Sequence, residues 1–213
     1  MSAAGLVDGD DGRPRCWWGV STPDFVAYHD REWGRPVTDD RGIYERLTLE
    51  AFQSGLSWLM ILRKRENFRA AFDGFDFERV AGYGDRQVDR LLADAGIVRN
   101  RGKIEAAIAN AGATLALAKA GESLAAVAWS FRPERRRAPR GDDLPAATPE
   151  SKALAKELKR HGFRFVGPTT AYALMQAVGI VNDHLGGCAV RDEVEGERIA
   201  ALKALGGGGG AAQ

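Results

Sequence analysis

Two cysteines and two histidines in this sequence have the chemistry of metal ligands. They form one pair near each end of the chain, Cys16 with His29 and His184 with Cys188. Two thiolates and two imidazoles complete the tetrahedral shell of a closed, structural zinc site, which would join the two ends of the fold. The long gap between the pairs is not a zinc-finger spacing, so two buried thiols beside two ordinary histidines remain an equal alternative. A disulfide is disfavoured because the chain has no export signal.

One carboxylate, Glu50, lies on or beside the apolar face of a predicted helix. It follows Ile43 by seven positions and Leu47 by three, which is helical spacing. Ionised carboxylates are rarely buried without a partner. The pattern alone therefore favours a glutamate at the edge of the face, where it reaches solvent or an arginine.

Aromatic residues are concentrated near the start of the chain. Phe25 and Tyr28 lie among four of the five tryptophans, which are Trp17, Trp18, Trp33 and Trp58. An electron-rich aromatic box beside a carboxylate suits a flat cationic ligand, or a nucleobase rotated out of a duplex. An aromatic core explains the same residues, and for any single tryptophan it is the safer interpretation.

The segment LLADAGIVRNRGKIEAAI predicts a helix, a turn containing Gly96 and a second helix from about Arg101. Such a helix–hairpin–helix presents backbone N–H groups and a helix N-terminus to a phosphate. Arg99, Arg101 and Lys103 add charge that would hold a DNA backbone without reading bases. Many helix pairs share a glycine turn and a basic flank, so the pattern is not specific. The basic run Arg63–Arg65 either extends a DNA footprint or is a solvated face.

Helical signals dominate the elements that must position these residues, and strand patterns are scarce. The predicted fold class is all-α, with eight to ten helices, and residues 1–14 and 205–213 are expected to be flexible tails. Three helices have clear end signals: one from Thr38 or Asp39 to Gly55, one capped by Asp85 and stopped at Gly96, and one from Thr148 to Gly162.

Composition excludes several classes of protein. The 213 residues are 45% hydrophobic and 28% charged, which suits one globular domain or two small ones. No apolar stretch approaches the roughly 20 residues of a membrane span, and no signal-peptide core is seen. The net charge of +1 means that any nucleic-acid contact depends on local basic patches. Two cysteines cannot hold a ferredoxin-like cluster.

Four long segments, matched in order, resemble the DNA-3-methyladenine glycosylase I family of helix–hairpin–helix DNA glycosylases with a zinc-binding lobe. They are CWWGVSTPDFVAYHDREWGRPVTDD, LEAFQSGLSWLMILRKRENFRAAF, DAGIVRNRGKI and KRHGFRFVGPTTAYALMQAVGIVNDHLGGC. The resemblance implies base-excision repair of double-stranded DNA, in which 3-methyladenine is flipped out, cut from its sugar and released without strand cleavage. It also implies a monomer that binds no membrane and acts in the cytoplasm, at the bacterial nucleoid.

The resemblance further assigns roles to individual residues. Glu50 contacts the base, Tyr28 holds the base or orients Glu50, and the turn Gly55–Leu56 wedges into the DNA stack. One structural zinc ion per chain is expected in a lobe of residues 15–45 and 164–195, with the helix–hairpin–helix lobe over 46–163. The zinc ligands are Cys16, His29, His184 and Cys188, and the aromatic pocket contains Trp18, Tyr28 and Trp58, with Phe25 and Trp33.

Two positions depart from the family pattern. Phe25 stands where a tyrosine is expected, and Ala51 replaces a glycine beside Glu50. These changes affect base selectivity or rate, since they remove neither a zinc ligand nor the carboxylate. Two other functions therefore stay open: a catalytically silent DNA-binding module, and a glycosylase for another alkylated base such as 3-methylguanine. Iron–sulfur glycosylases are excluded by the cysteine count.

Overall fold

The computed structural model describes residues 5–134, 137–141 and 144–207. This part of the chain forms ten α-helices and one two-stranded hairpin, so the predicted all-α class is confirmed. No helix within these residues is long and apolar enough to cross a membrane. The elements are β1 (Leu6–Asp8), β2 (Pro14–Cys16), α1 (Pro23–Arg31), α2 (Asp40–Gln53), α3 (Trp58–Ala71), α4 (Phe77–Val80), α5 (Asp85–Ala93), α6 (Arg101–Lys119), α7 (Leu124–Ser130), α8 (Pro149–Arg160), α9 (Pro168–Ala177) and α10 (Arg191–Gly207).

The chain divides into two compact units. The first unit combines Met1–Thr38, Arg132–Ala146 and Met175–Gln213, so both ends of the sequence belong to it. The second unit is made of Asp39–Phe131 and Ala147–Leu174.

The start of the first unit is a β-hairpin where the sequence predicted a flexible tail over residues 1–14. β1 runs antiparallel to β2, with Leu6 opposite Cys16. The hairpin is held by Arg15, whose buried guanidinium donates to Asp11 at 2.6 Å and to Asp30 of α1 at 2.8 Å. The strands are too short to show an alternating pattern, and the ion pair of Arg15 with Asp30 joins positions 15 residues apart in the sequence.

Two helices of the first unit were not predicted. α1 begins where the Thr22 hydroxyl accepts a hydrogen bond from the Phe25 N–H at 3.2 Å, an ordinary N-cap. α10 is tied down by Arg35, which pairs with Glu193 at 2.9 Å and also with Glu197. The predicted C-terminal tail overlaps the end of α10, and residues 208–213 lie outside the described residues.

The second unit is built on a core of aromatic rings. Phe52 of α2 contacts Phe68 of α3 with ring centroids 4.8 Å apart, and both are fully buried. The predicted apolar face of α2 is confirmed, since Ile43 and Leu47 are fully buried. Its predicted cap is also confirmed, because the Asp39 carboxylate accepts from the Gly42 N–H at 2.8 Å.

α5 and α6 form the predicted helix pair, but the predicted ends of α5 were wrong. Its N-cap is Gly84, whose N–H donates to the Gln87 side chain at 3.0 Å. Asp85 is the first helical residue, where its carboxylate complements the helix dipole. α5 ends at Ala93, three residues before Gly96. α6 begins after Asn100, which caps it.

Candidate metal centre and candidate base-binding residues

The four predicted metal ligands lie together, fully buried, in the first unit. Cys16 ends β2, His29 lies on α1, and His184 and Cys188 lie between α9 and α10. All four donor atoms are within 4.8 Å of one another. The His29 Nε2 and His184 Nδ1 atoms are 3.2 Å apart, and the Cys188 Sγ is 3.5 Å and 3.6 Å from them. The prediction of a Cys2His2 cluster that could hold a metal is confirmed.

The size of the cluster fits zinc. Bonds of about 2.0 Å to nitrogen and about 2.3 Å to sulfur give tetrahedral edges of roughly 3.3 to 3.8 Å. The distances between individual donor atoms run from 3.2 Å to 3.9 Å, and all four lie within 4.8 Å of one another, so a bound zinc ion would draw the widest pair closer. The donor set is complete with four protein ligands, so the arrangement is that of a closed structural site.

Neighbouring acceptors orient both histidine ligands. Asp30 lies 2.8 Å from the His29 Nδ1, and the Trp33 carbonyl lies 3.0 Å from the His184 Nε2. A carboxylate and a carbonyl can only accept here, so those ring nitrogens carry the protons and the other nitrogens face the cluster. Sequence reasoning missed Asp30 and Trp33 as supports. The adjacent His29–Asp30 pair was the signal that could have indicated the first of them.

The two thiols differ in acidity. Their mutual hydrogen bond, followed by burial, raises the pKa of the Cys16 thiol well above its usual range. The same hydrogen bond, with others to both histidines, lowers the pKa of Cys188. The Leu185 N–H donates to the Cys16 Sγ at 3.3 Å, a contact that also suits a thiolate. Without a metal ion, the cluster favours a thiolate at Cys188 and a protonated thiol at Cys16. A bound divalent cation would favour thiolates at both cysteines.

The predicted aromatic residues of the first unit form one cluster that adjoins the metal ligands. The Trp18 ring lies edge-on to Trp33 at 4.9 Å and to Phe25 at 5.9 Å between centroids, and it is 6.4 Å from Tyr28. The same ring is 5.1 Å from His29. Trp33 and Tyr28 are buried, whereas Trp18 and Phe25 keep part of their surface exposed. The structure therefore brings these four aromatic residues together.

Glu50 is buried in the second unit, with only 7% of its surface exposed. The sequence pattern favoured a glutamate that reaches solvent or an arginine, and of these two the contact with solvent is wrong. Burial raises the pKa of Glu50 to about 8, and the positive charge of Arg46, one helical turn earlier, offsets part of this rise. A carboxyl group held in this way favours its neutral form and gains strongly from any positive charge placed beside it. Trp58, the first residue of α3, is half-buried.

The turn between α2 and α3 carries an exposed apolar side chain. Gly55 has a φ of +81°, which glycine adopts without strain. The following residue, Leu56, is 37% exposed, and its N–H donates to the Gln53 carbonyl at 2.7 Å. The turn is tight, and Leu56 lies at the surface of the second unit.

The turn between α5 and α6 is held by its own Asp94 and by side chains of α3. The Gly96 N–H donates to the Asp94 carboxylate at 2.7 Å, so in this conformation it is not available to a phosphate. The Lys64 ammonium donates to the Gly96 carbonyl at 3.2 Å. Arg99 and Arg101 are exposed, as a phosphate contact requires.

Lys103 differs from the prediction. The sequence placed it with the phosphate-contacting residues, but it is only 8% exposed. Its ammonium donates to the carbonyls of Phe52 at 2.9 Å and Ser54 at 2.6 Å, and burial lowers the pKa of the group. Its position near two exposed arginines in the sequence gave no indication that its side chain turns inward.

Comparison with known proteins gives consistent matches over most of the chain. Residues 18–192 match the family model described as methyladenine glycosylase. The DNA-3-methyladenine glycosylase 1 of Escherichia coli K12 is 48% identical over 177 residues, which are 82% of this chain and 95% of that protein. A crystal structure of 3-methyladenine DNA glycosylase I matches with a TM-score of 0.79 and 51% identity, over 82% of this chain and 97% of that one. A tyrosine-to-phenylalanine variant of a 3-methyladenine DNA glycosylase I, solved in complex with 3-methyladenine, matches with a TM-score of 0.77 and 33% identity, over 81% of this chain and 95% of that one.

Proposed function

The chain belongs to the methyladenine glycosylase family, and from that premise we propose how its residues excise 3-methyladenine. The protein is a DNA-3-methyladenine glycosylase, a hydrolase of the N-glycosyl bond that joins this base to deoxyribose. The observation that carries the proposal at the level of residues is the buried carboxyl group of Glu50, whose pKa is raised to about 8.

The first step is extrusion of the damaged nucleotide. A base inside the duplex cannot reach a buried carboxylate, so the enzyme must rotate it out of the stack. Leu56, exposed on its tight turn, is the residue that we assign to the space left behind. Arg99 and Arg101 are exposed beside the α5–α6 turn and would hold the DNA backbone.

Recognition depends on charge. Methylation at N3 gives adenine a positive charge in DNA, whereas unmodified adenine is neutral. The cost of burying the Glu50 carboxylate falls when a cationic ring is placed beside it. Glu50 then accepts a hydrogen bond from the exocyclic amine of the base. A neutral adenine offers the amine without the charge, so the buried carboxylate discriminates against it.

Aromatic residues complete the recognition of the base. Trp18 and Trp58 keep accessible surface, and we assign them to stacking on the electron-poor ring. We assign Tyr28, which is buried near Trp18, to a hydrogen bond with the base. Phe25 and Trp33 support Trp18, because both rings contact it edge-on.

The bond is cut by water. The glycosidic electron pair leaves with the base and neutralises its charge, while the water oxygen bonds to C1′ of the sugar and its proton is released. No lysine nucleophile is required, and the ammonium of Lys103 is already bonded to two carbonyls. The product is an intact strand with an abasic site. Strand breaks formed without added base or heat would contradict this part of the proposal.

We assign the metal cluster to one structural zinc ion per chain, with both cysteines and both histidines as its ligands. When bound, the ion supplies a crosslink between the two ends of the first unit and no open coordination position. The chain's own contribution is to hold the aromatic cluster, since Trp18 packs on His29 and the Trp33 carbonyl orients His184.

The experiment that tests the function is chromatography of the free bases released from methylated DNA. Wild type is compared with Glu50→Gln and with Glu78→Gln, a control whose carboxylate is exposed on α4. We expect 3-methyladenine from wild type and the control, and a loss of at least tenfold in Glu50→Gln. Release of mainly 3-methylguanine would show that this base, and not 3-methyladenine, is the substrate. Binding of damaged DNA without release of any base would instead show a silent binding module.

A further inference from the structure

The buried Lys103 of α6 makes contacts that neither base stacking nor charge recognition requires. Lys103 lies in the first turn of α6, yet its ammonium reaches the carbonyls of Phe52 and Ser54 at 2.9 Å and 2.6 Å. Phe52 is in the last turn of α2, and Ser54 is the C-cap of that helix. Carbonyls at a helix C-terminus have no partner within the helix, and a positive charge there is favourable.

The backbone satisfies only part of this helix end. The Ser54 N–H donates to the Ala51 carbonyl at 3.3 Å, and the Leu56 N–H donates to the Gln53 carbonyl at 2.7 Å across Gly55, which has the left-handed conformation. The Lys103 ammonium bonds the carbonyls of Phe52 and Ser54, so it completes the end of α2 and ties it to α6. It is also a costly tie, because burying a cation takes it out of water.

The tie joins two elements that the proposed function brings to DNA. Ser54 directly precedes the Gly55–Leu56 turn. The backbone N–H of the same lysine donates at 3.1 Å to the side chain of Asn100, the N-cap of α6. Asn100 directly follows the exposed Arg99. Lys103 thus connects the exposed Gly55–Leu56 turn to the first turn of α6. All of these residues belong to the second unit.

We propose that Lys103 is a positioning residue for base excision, which holds the Gly55–Leu56 turn at a fixed spacing from the start of α6. When α6 docks on the DNA backbone, this spacing brings Leu56 to the base stack, so that docking and wedging occur together. The inference rests on the proposed function, since it needs Leu56 to enter the space left by an extruded nucleotide. It predicts that loss of the tie impairs extrusion more than recognition of the base itself.

The test compares Lys103→Met, which keeps the length of the side chain but cannot donate, with Lys103→Arg, which keeps the charge. Extrusion is followed by the fluorescence of 2-aminopurine placed next to an abasic-site analogue in a duplex, and base recognition by calorimetry with free 3-methyladenine. We expect Lys103→Met to lower both the fluorescence change and kcat for base release by about tenfold, since even a displacement of about 1 Å can cost 10²-fold. Its Kd for the free base should stay within about twofold of wild type, and Lys103→Arg should recover part of the loss.

A purely stabilising role would give a different result. In that case Lys103→Met would lower the melting temperature but leave kcat and the fluorescence change of the folded fraction as in wild type, which would overturn the inference. Equal losses of free-base binding and excision would overturn it too. If Lys103→Met does not fold, Lys103→Gln, a shorter and neutral side chain, serves as the test, with unchanged excision and fluorescence as the contradicting result.

A double-mutant cycle links the lysine to the wedge. If Lys103 acts through Leu56, then adding Lys103→Met to Leu56→Ala should lower kcat no further. Additive losses would contradict this coupling. Failure of the proposed function is recognised separately, because it would appear as wild type that releases no 3-methyladenine.

Discussion

Replacing Glu50 with glutamine should stabilise the free protein, although it removes the central group of the proposed site. The wild-type carboxyl group has a pKa of about 8 in the folded protein against an ordinary value of 4.5. Between these values the folded protein binds a proton that the unfolded chain does not. The stability of wild type therefore falls as the pH rises through this window. Glutamine keeps the shape of the side chain and does not titrate, so the variant escapes this loss.

The size of the effect follows from the pKa shift. One pKa unit is worth about 1.4 kcal/mol, so the gain in unfolding free energy of Glu50→Gln over wild type grows by about that amount per pH unit above 4.5. It should reach about 2 kcal/mol at pH 6, about 3 kcal/mol at pH 7 and about 4 to 5 kcal/mol at pH 8.5. These are upper values, because relaxation of the structure around a buried charge reduces its cost.

Urea denaturation at pH 6, 7 and 8.5, followed by circular dichroism, measures this difference. Every other titrating group is shared by the two proteins and cancels. Glu78→Gln, which changes an exposed carboxylate, should differ from wild type by less than about 0.5 kcal/mol at each pH. A Glu50→Gln variant that is less stable than wild type at pH 8.5 would refute a costly burial of the Glu50 charge. A stability difference that does not grow with pH would equally show that Glu50 is not desolvated.

Three further results are expected. The kcat/KM for base release reports groups of the free enzyme, so it should rise about fivefold from pH 7 to pH 8 as Glu50 ionises with a pKa of about 8; a flat or falling profile would show that the neutral form is active. Cys188→Ser should contain less than one metal ion per chain by atomic emission, unfold at lower temperature than wild type and show altered tryptophan emission, because Trp18 lies 5.1 Å from the ligand His29; an unchanged melting temperature in metal-depleted protein would contradict a structural role. Arg99→Ala should weaken binding to DNA of any sequence and reduce the slope of log K against log salt by about 0.9, whereas an unchanged slope in fluorescence anisotropy would remove Arg99 from the phosphate contacts.

The elements that could be predicted from the sequence are those with local signals. The N-terminus of α8 is a clear case, since Thr148 caps the helix and Pro149 opens it, both as predicted. The β1–β2 hairpin could not be predicted, because it depends on Arg15 and its partners Asp11 and Asp30. The Arg15–Asp30 pair joins positions 15 residues apart, and such a contact leaves no periodic pattern in the sequence.

The same distinction holds for the candidate site. The metal cluster was predictable because few residue types bind zinc, and the chain holds two cysteines and three histidines in all. The burial of Glu50 and the inward turn of Lys103 were not, because both depend on how neighbouring helices pack. Lys103 is a basic residue in the first turn of α6, like the exposed Arg101 two positions earlier, and its contacts with the end of α2 make it different.

The central claim is that the buried carboxyl group of Glu50 recognises the methylated base. Calorimetric titration of wild type and Glu50→Gln with free 3-methyladenine and with adenine tests it most directly, since it separates recognition from DNA binding and from bond cleavage. A hydrogen bond to a charged group is worth about 1.5–3 kcal/mol, or roughly a 10- to 150-fold change in Kd. The free base is neutral, so this titration isolates the hydrogen bond to Glu50 from the effect of charge, and Glu50→Gln is expected to lose at least tenfold in affinity for 3-methyladenine while remaining folded. Equal affinity of the two proteins for 3-methyladenine would contradict it.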